Sequence, residues 1–142
     1  MPNKKAEAVW SGDLKSGMGT MKLGSGSFEG SYTFASRFEN GKGTNPEELI
    51  GAAHAGCYAM AFSNELDSAG FTPKSMEVNA DVTLEMVDGD PTITTIKLTA
   101  KGNVPDIEDD KYQEIAVAAK EGCPVSKALA SVDIQLDASL EN

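Results

Sequence analysis

Residues 44–70, TNPEELIGAAHAGCYAMAFSNELDSAG, constrain the fold more than any other stretch. Asn45 suits a helix cap, Pro46 the first helical position, and Glu47 and Glu48 place carboxylates on the positive end of the helix dipole. Gly70 supplies a stop. Between Leu49 and Phe62 the only polar side chains are His54, Cys57 and Tyr58, so the pattern predicts a long helix that is apolar on all sides and buried. Its small residues (Gly51, Ala52, Ala53, Ala55, Gly56, Ala59, Ala61) let other backbones approach closely, and a thiol, Cys57, stands in its middle.

The flanking sequence reads mostly as strand. Lys5 to Ser11 and Thr20 to Leu23 alternate and suggest a hairpin, with a glycine- and serine-rich loop after it (Gly24 to Gly30). That loop lacks the lysine of a phosphate cradle and no helix start follows it. Tyr32 to Glu39 reads as a short strand, with Tyr32, Phe34 and Phe38 of one parity and Arg37 of the other. Met76 to Met86 alternates cleanly between apolar and polar residues, the mark of a strand with one wet face. Asp88-Gly89-Asp90-Pro91 turns it into a second strand, Thr92 to Lys101, whose alternation slips between Ile93 and Ile96 and predicts a bulge. Ile107 to Glu121 reads as a helix with acids first and Lys120 late, followed by a short helix from Pro124 to Ala130 with Cys123 at its cap. Val132 to Leu140 alternates as a final strand. The order predicts an α+β fold: about six strands, largely antiparallel, with the dry face of the sheet on the long, buried central helix.

At 142 residues the chain is expected to form one domain, residues 1–142, with enough buried surface to fold without disulfide or metal. The net charge of −10 argues against nucleic acid and anionic membrane surfaces as partners. The first residues lack the apolar run of a signal peptide and no stretch reaches the length of a membrane span. The expectation is a cytoplasmic protein whose thiols are kept reduced. Cys57 and Cys123 are then inert core residues or redox-active ones, and CxxC spacing is absent. An apolar site raises a thiol's pKa, so a reactive Cys57 needs a cation beside it, and Arg37 is the candidate. Cys123, capping a helix before Pro124, is a candidate second thiol for disulfide exchange. His54 stands three residues before Cys57 on the same helical face, but one His and two Cys make a poor zinc set.

The blocks RFENGKGTNPEELIGAAHAGC, GFTPKSMEVNADVTLEMVD and AKEGCPVSKAL closely resemble the OsmC/Ohr family, the osmotically inducible protein C and organic hydroperoxide resistance proteins, over nearly the whole chain. His54 within the first block resembles the osmotically inducible branch, the other branch more often having tyrosine there. The resemblance implies an OsmC-like domain in an intertwined homodimer. It implies a thiol peroxidase of organic hydroperoxides, and more weakly of hydrogen peroxide, that needs no cofactor or metal. Matched onto this chain, Cys57 is the peroxidatic cysteine, Cys123 the resolving one, Arg37 the arginine that activates the thiol and Glu47 the carboxylate that holds it. The expected product is a Cys57–Cys123 disulfide, restored by a dithiol reductant of lipoyl type rather than thioredoxin. Apolar residues near Cys57, among them Met60, Ala61 and Phe62, are expected to favour organic peroxides. Along one helix Glu47 and Cys57 lie roughly 15 Å apart, so Arg37 or a second chain must bridge them. The alternative reading is a catalytically quiet stress protein that binds an apolar ligand in its core.

Overall fold

The computed structural model describes all residues, 1–142, as six strands and four helices. The chain divides into two compact units, Met1–Leu49 and Ile50–Asn142.

The first unit is an antiparallel meander of β1 (Ala6–Ser11), β2 (Met18–Leu23) and β3 (Glu29–Tyr32), in the order β1-β2-β3, followed by the short helix α1 (Phe34–Phe38). Trp10, Gly19 and Tyr32 lie in one row across the sheet. A Cβ on Gly19 would stand 2.7 Å from both the Trp10 and the Tyr32 ring, so only glycine lets these rings pack, with centroids 5.3 Å apart.

Two expectations change here. The predicted loop over 24–30 ends in strand, because β3 begins at Glu29. The predicted strand over 32–39 is largely helix. Thr33 and Ser36 form a reciprocal capping box that opens α1, with Ser36 N–H donating to Thr33 Oγ1 at 3.1 Å and Thr33 N–H to Ser36 Oγ at 2.8 Å. Phe34 and Phe38 have equal parity, but they are also four residues apart, and their rings meet at 4.9 Å as helical neighbours do.

The long helix α2 runs from Pro46 to Ser68. Glu48 N–H donates to the Asn45 side-chain oxygen at 2.7 Å, the expected cap. At the other end Gly70 takes φ +92°, and the N–H groups of Phe71 and Gly70 return to the carbonyls of Leu66 and Asp67, a Schellman stop.

The second unit holds β4 (Ser75–Val87), β5 (Asp90–Asn103), α3 (Asp109–Gly122), α4 (Pro124–Ala128) and β6 (Asp133–Leu140). Asp88 and Gly89, both with positive φ, make the two-residue turn between β4 and β5. The register shifts beside Thr83 and Leu84, leaving Thr94 as the extra residue, within the predicted slip from Ile93 to Ile96. The six strands thus form two sheets of three, and β6 pairs parallel to β5. A parallel neighbour requires a long crossover, which α3 and α4 supply.

Tyr58, Phe62 and Leu66 of α2 join Ile96, Leu98 and Ala100 of β5 and Tyr112, Ile115, Ala116 and Ala119 of α3 in one core, with Met76, Val78, Ala80 and Val82 of β4 packed against it. A Cβ on Gly51 would press on Val82 Cγ2 at 3.3 Å, which shows how closely α2 lies on the dry face of β4. The helix is not buried all round, however. Ala52, Ala53, Gly56 and Met60 form an exposed stripe on its outer face, and Met60 is 77% accessible.

Candidate active site

The four residues singled out by sequence come together as two pairs, one in each unit. Arg37, the only arginine in the sequence, sits in the last turn of α1. Its Nε and Nη2 donate to Glu47 Oε1 and Oε2 at 3.0 and 2.9 Å, a two-pronged pairing that fixes the guanidinium plane. Glu47 is buried, so the pair is held from the carboxylate side. Asn45 braces it: its side-chain nitrogen donates to Ser36 O at 2.9 Å, tying the start of α2 to α1. Arg37 also lies 5.4 Å from the Phe38 ring centroid. It lines an apolar cleft of about 270 Å³ with Trp10, Leu14, Tyr32, Phe34 and Phe38.

Cys57 and Cys123 form the second pair. Both are free thiols, and their sulfurs stand 3.1 Å apart across 66 residues of sequence. Cys57 is half-buried in the middle of α2, and Cys123 is fully buried between α3 and α4. Burial pushes the Cys57 thiol above its ordinary range, and the adjoining Cys123 adds to this, while the Val125 N–H works the other way. Burial also opposes ionisation of Cys123, but the Ser126 N–H, the Cys57 thiol, the Ser126 hydroxyl and the Val125 N–H outweigh it and leave Cys123 below its ordinary value. Cys123 makes no short capping hydrogen bond; the N–H groups of the next turn face its sulfur instead. Within this unit, then, the proton of the pair is held more firmly at Cys57.

His54 is completely buried, and its Nε2 meets Ser126 Oγ at 2.7 Å while Nδ1 has no partner. Burial lowers its pKa. No group of three or more potential metal ligands gathers anywhere. Of the apolar residues near Cys57, Phe62 is sealed in the core against Tyr58 and Tyr112, and Met60 is exposed. The apolar cleft beside Arg37 was not foreseen, because it depends on α1 being helical. Val125 and Ser126 were also missed as site residues, although their place two and three residues after Cys123, at the start of a Pro-initiated turn, is visible in the sequence.

Residues 39–137 match the family model described as OsmC-like protein. The chain belongs to the OsmC family. It is 48% identical to Peroxiredoxin OsmC of Escherichia coli (strain K12) over 141 residues, covering 99% of this chain and 98% of that one. It is 34% identical to organic hydroperoxide resistance protein OhrB of Bacillus subtilis (strain 168) over 100 residues, 70% of this chain and 72% of that protein. The crystal structure of the Bacillus subtilis OhrB superposes with a TM-score of 0.75 at 26% identity, covering 95% of this chain and 98% of that chain. The OsmC membership and the two free thiols agree in directing attention to sulfur chemistry.

Proposed function

We propose that this OsmC family member is a cysteine-based peroxidase that reduces organic hydroperoxides, and hydrogen peroxide more weakly, in oxidative and osmotic stress defence in the cytoplasm. The observation that carries the reading is the 3.1 Å approach of Cys57 and Cys123 as free thiols. That gap is about 1 Å longer than a disulfide bond, so oxidation joins the sulfurs with little movement. The names of the relatives, a peroxiredoxin and an organic hydroperoxide resistance protein, support the same reading.

The Cys57 thiolate attacks the terminal oxygen of the hydroperoxide. The O–O bond breaks, the alkoxide leaves and takes up a proton to become the alcohol, and Cys57 keeps the transferred oxygen as a sulfenic acid. The Cys123 sulfur then attacks the Cys57 sulfur. The S–O bond breaks, hydroxide leaves and takes the Cys123 proton to form water, and a Cys57–Cys123 disulfide remains. A dithiol of lipoyl type reduces it by two exchanges and leaves as its own disulfide.

Burial opposes the first step, because it holds Cys57 as the thiol. The role given to Arg37 is to supply the missing positive charge, with Glu47 fixing its orientation. The apolar cleft beside Arg37 suits the hydrocarbon part of an organic peroxide. The proposal includes a homodimer in which both units act as one OsmC-like domain. The exposed stripe of Ala52, Ala53, Gly56 and Met60, and the exposed Val9, Leu14 and Met18, support a covering copy.

Stopped-flow consumption of cumene hydroperoxide tests the reading. The protein as it stands consumes peroxide and loses both thiols; Cys57→Ser consumes none. Retained consumption by Cys57→Ser overturns it.

A further inference from the structure

His54 and Ser126 are buried polar side chains from two different helices, and the steps above use neither. The Ser126 hydroxyl meets His54 Nε2 at 2.7 Å, and Ser126 stands in the first turn of α4, three residues after Cys123, whose ionised form it favours. The direction of the hydrogens follows from the third atom. His54 Nδ1 is buried with no partner. A buried N–H without an acceptor is a costly arrangement, so the ring proton belongs on Nε2, where it has one. Nε2–H therefore donates to Ser126 Oγ. The hydroxyl's own hydrogen is then free to turn toward the Cys123 sulfur at the start of the same turn.

We propose that His54 and Ser126 are positioning residues for Cys123: the imidazole fixes the Ser126 hydroxyl so that it donates to the Cys123 sulfur and holds that sulfur against Cys57. The proposal rests on the reading of Cys123 as the thiol that attacks the Cys57 sulfenic acid. At that step Cys123 loses its proton as its S–S bond forms and hydroxide leaves Cys57. A fixed hydroxyl donor favours the thiolate that makes the attack. Because His54 and Cys57 share one face of α2 while Ser126 and Cys123 share the first turn of α4, the same hydrogen bond also sets the separation of the two sulfurs.

The test separates this chain of hydrogen bonds from packing alone. In a Cys57→Ser background, the pH dependence of Cys123 alkylation by iodoacetamide gives the Cys123 midpoint. Ser126→Ala raises it by about one unit, the size of a hydrogen bond to a charged group. His54→Leu moves it the same way, and His54→Gln, which keeps a side-chain N–H of similar reach, restores most of it. In the two-cysteine protein, Ser126→Ala slows disulfide formation about tenfold after one equivalent of cumene hydroperoxide, and dimedone traps the waiting sulfenic acid. Circular dichroism verifies that each variant is folded. An unchanged midpoint together with an unchanged disulfide rate in folded Ser126→Ala overturns the proposal. If the unsubstituted protein forms neither sulfenic acid nor disulfide, the peroxidase reading fails, and shifted alkylation midpoints then still uphold the hydrogen-bond chain.

Discussion

Cys57 and Cys123 place their sulfurs 3.1 Å apart, yet their pKa values move in opposite directions: burial holds Cys57 above its ordinary value, while the hydrogen bonds to Cys123 outweigh its burial and leave it below. The difference lies in the local backbone. Cys57 is in mid-helix, where the N–H groups are already spent on the helix, whereas Cys123 precedes a turn whose N–H groups are free to face its sulfur.

Removing Cys123 therefore separates oxidation from resolution. Cys123→Ser is expected to react with one equivalent of cumene hydroperoxide and stop at a Cys57 sulfenic acid, visible by mass as one added oxygen. The unsubstituted protein instead loses two hydrogens and both titratable thiols. Equal disulfide formation in both proteins would contradict the pairing.

Arg37 carries the prediction for the first step. Its two-pronged contact with Glu47 depends on the planar fork of the guanidinium, so Arg37→Lys is not conservative. Both Arg37→Lys and Arg37→Ala are expected to lower kcat/KM for cumene hydroperoxide by about 100-fold, the usual consequence of removing one charge-stabilising donor. The Cys57 alkylation midpoint, measured in Cys123→Ser, should rise in parallel. Lost rate with an unmoved midpoint would take Arg37 away from the thiol and leave it with the substrate.

Much of this was legible beforehand, for reasons that differ by element. Met76 to Met86 has one wet and one dry face, and period two on a long run admits one reading. The cap at Asn45 and the stop at Gly70 are local chemistry and fall where expected. Phe34 and Phe38 fit period two and a helical turn equally well, and the capping box of Thr33 and Ser36 decides between them. The parallel pairing of β6 with β5 was not legible, since alternation reports faces and not direction. Nor was the meeting of Cys57 with Cys123, which depends on the crossover through α3 and α4; the family resemblance, rather than spacing, supplied that expectation. The apolar sides of α2 implied burial all round, but a single chain covers only one of them.

Stability should depend on the core of the second unit rather than on the thiols. Tyr58 Oη donates to Ala116 O at 2.8 Å, and burial drives the phenol well above its usual range, so it stays a neutral donor. Tyr58→Phe is expected to cost about 1 kcal/mol in urea unfolding. Phe62→Ala, which empties the space between Tyr58 and Tyr112, should cost about 3–5 kcal/mol. A larger loss from Tyr58→Phe than from Phe62→Ala would mean that the carbonyl of Ala116, and not the packing, controls this contact.

His54 makes the stability of the fold depend on pH. Its imidazole is fully buried, and burial lowers its pKa below the ordinary 6.5. The folded protein therefore holds fewer protons at this site than the unfolded chain does, over the range between the folded value and 6.5. Stability rises with pH wherever the unfolded state binds more protons. The contribution is thus complete above the unfolded value and is lost progressively as pH falls below it toward the folded value. Cys57 and Tyr58, the neighbouring groups on α2 that titrate, are both shifted upward and stay neutral through that window. Urea midpoints measured from pH 7.5 down to 5 should fall for the unsubstituted protein, with the decline beginning near pH 6.5. His54→Gln removes the titrating group and keeps a polar side chain toward Ser126, so its midpoints should be flatter over the same range. A decline of equal steepness in His54→Gln would assign the acid sensitivity to other groups.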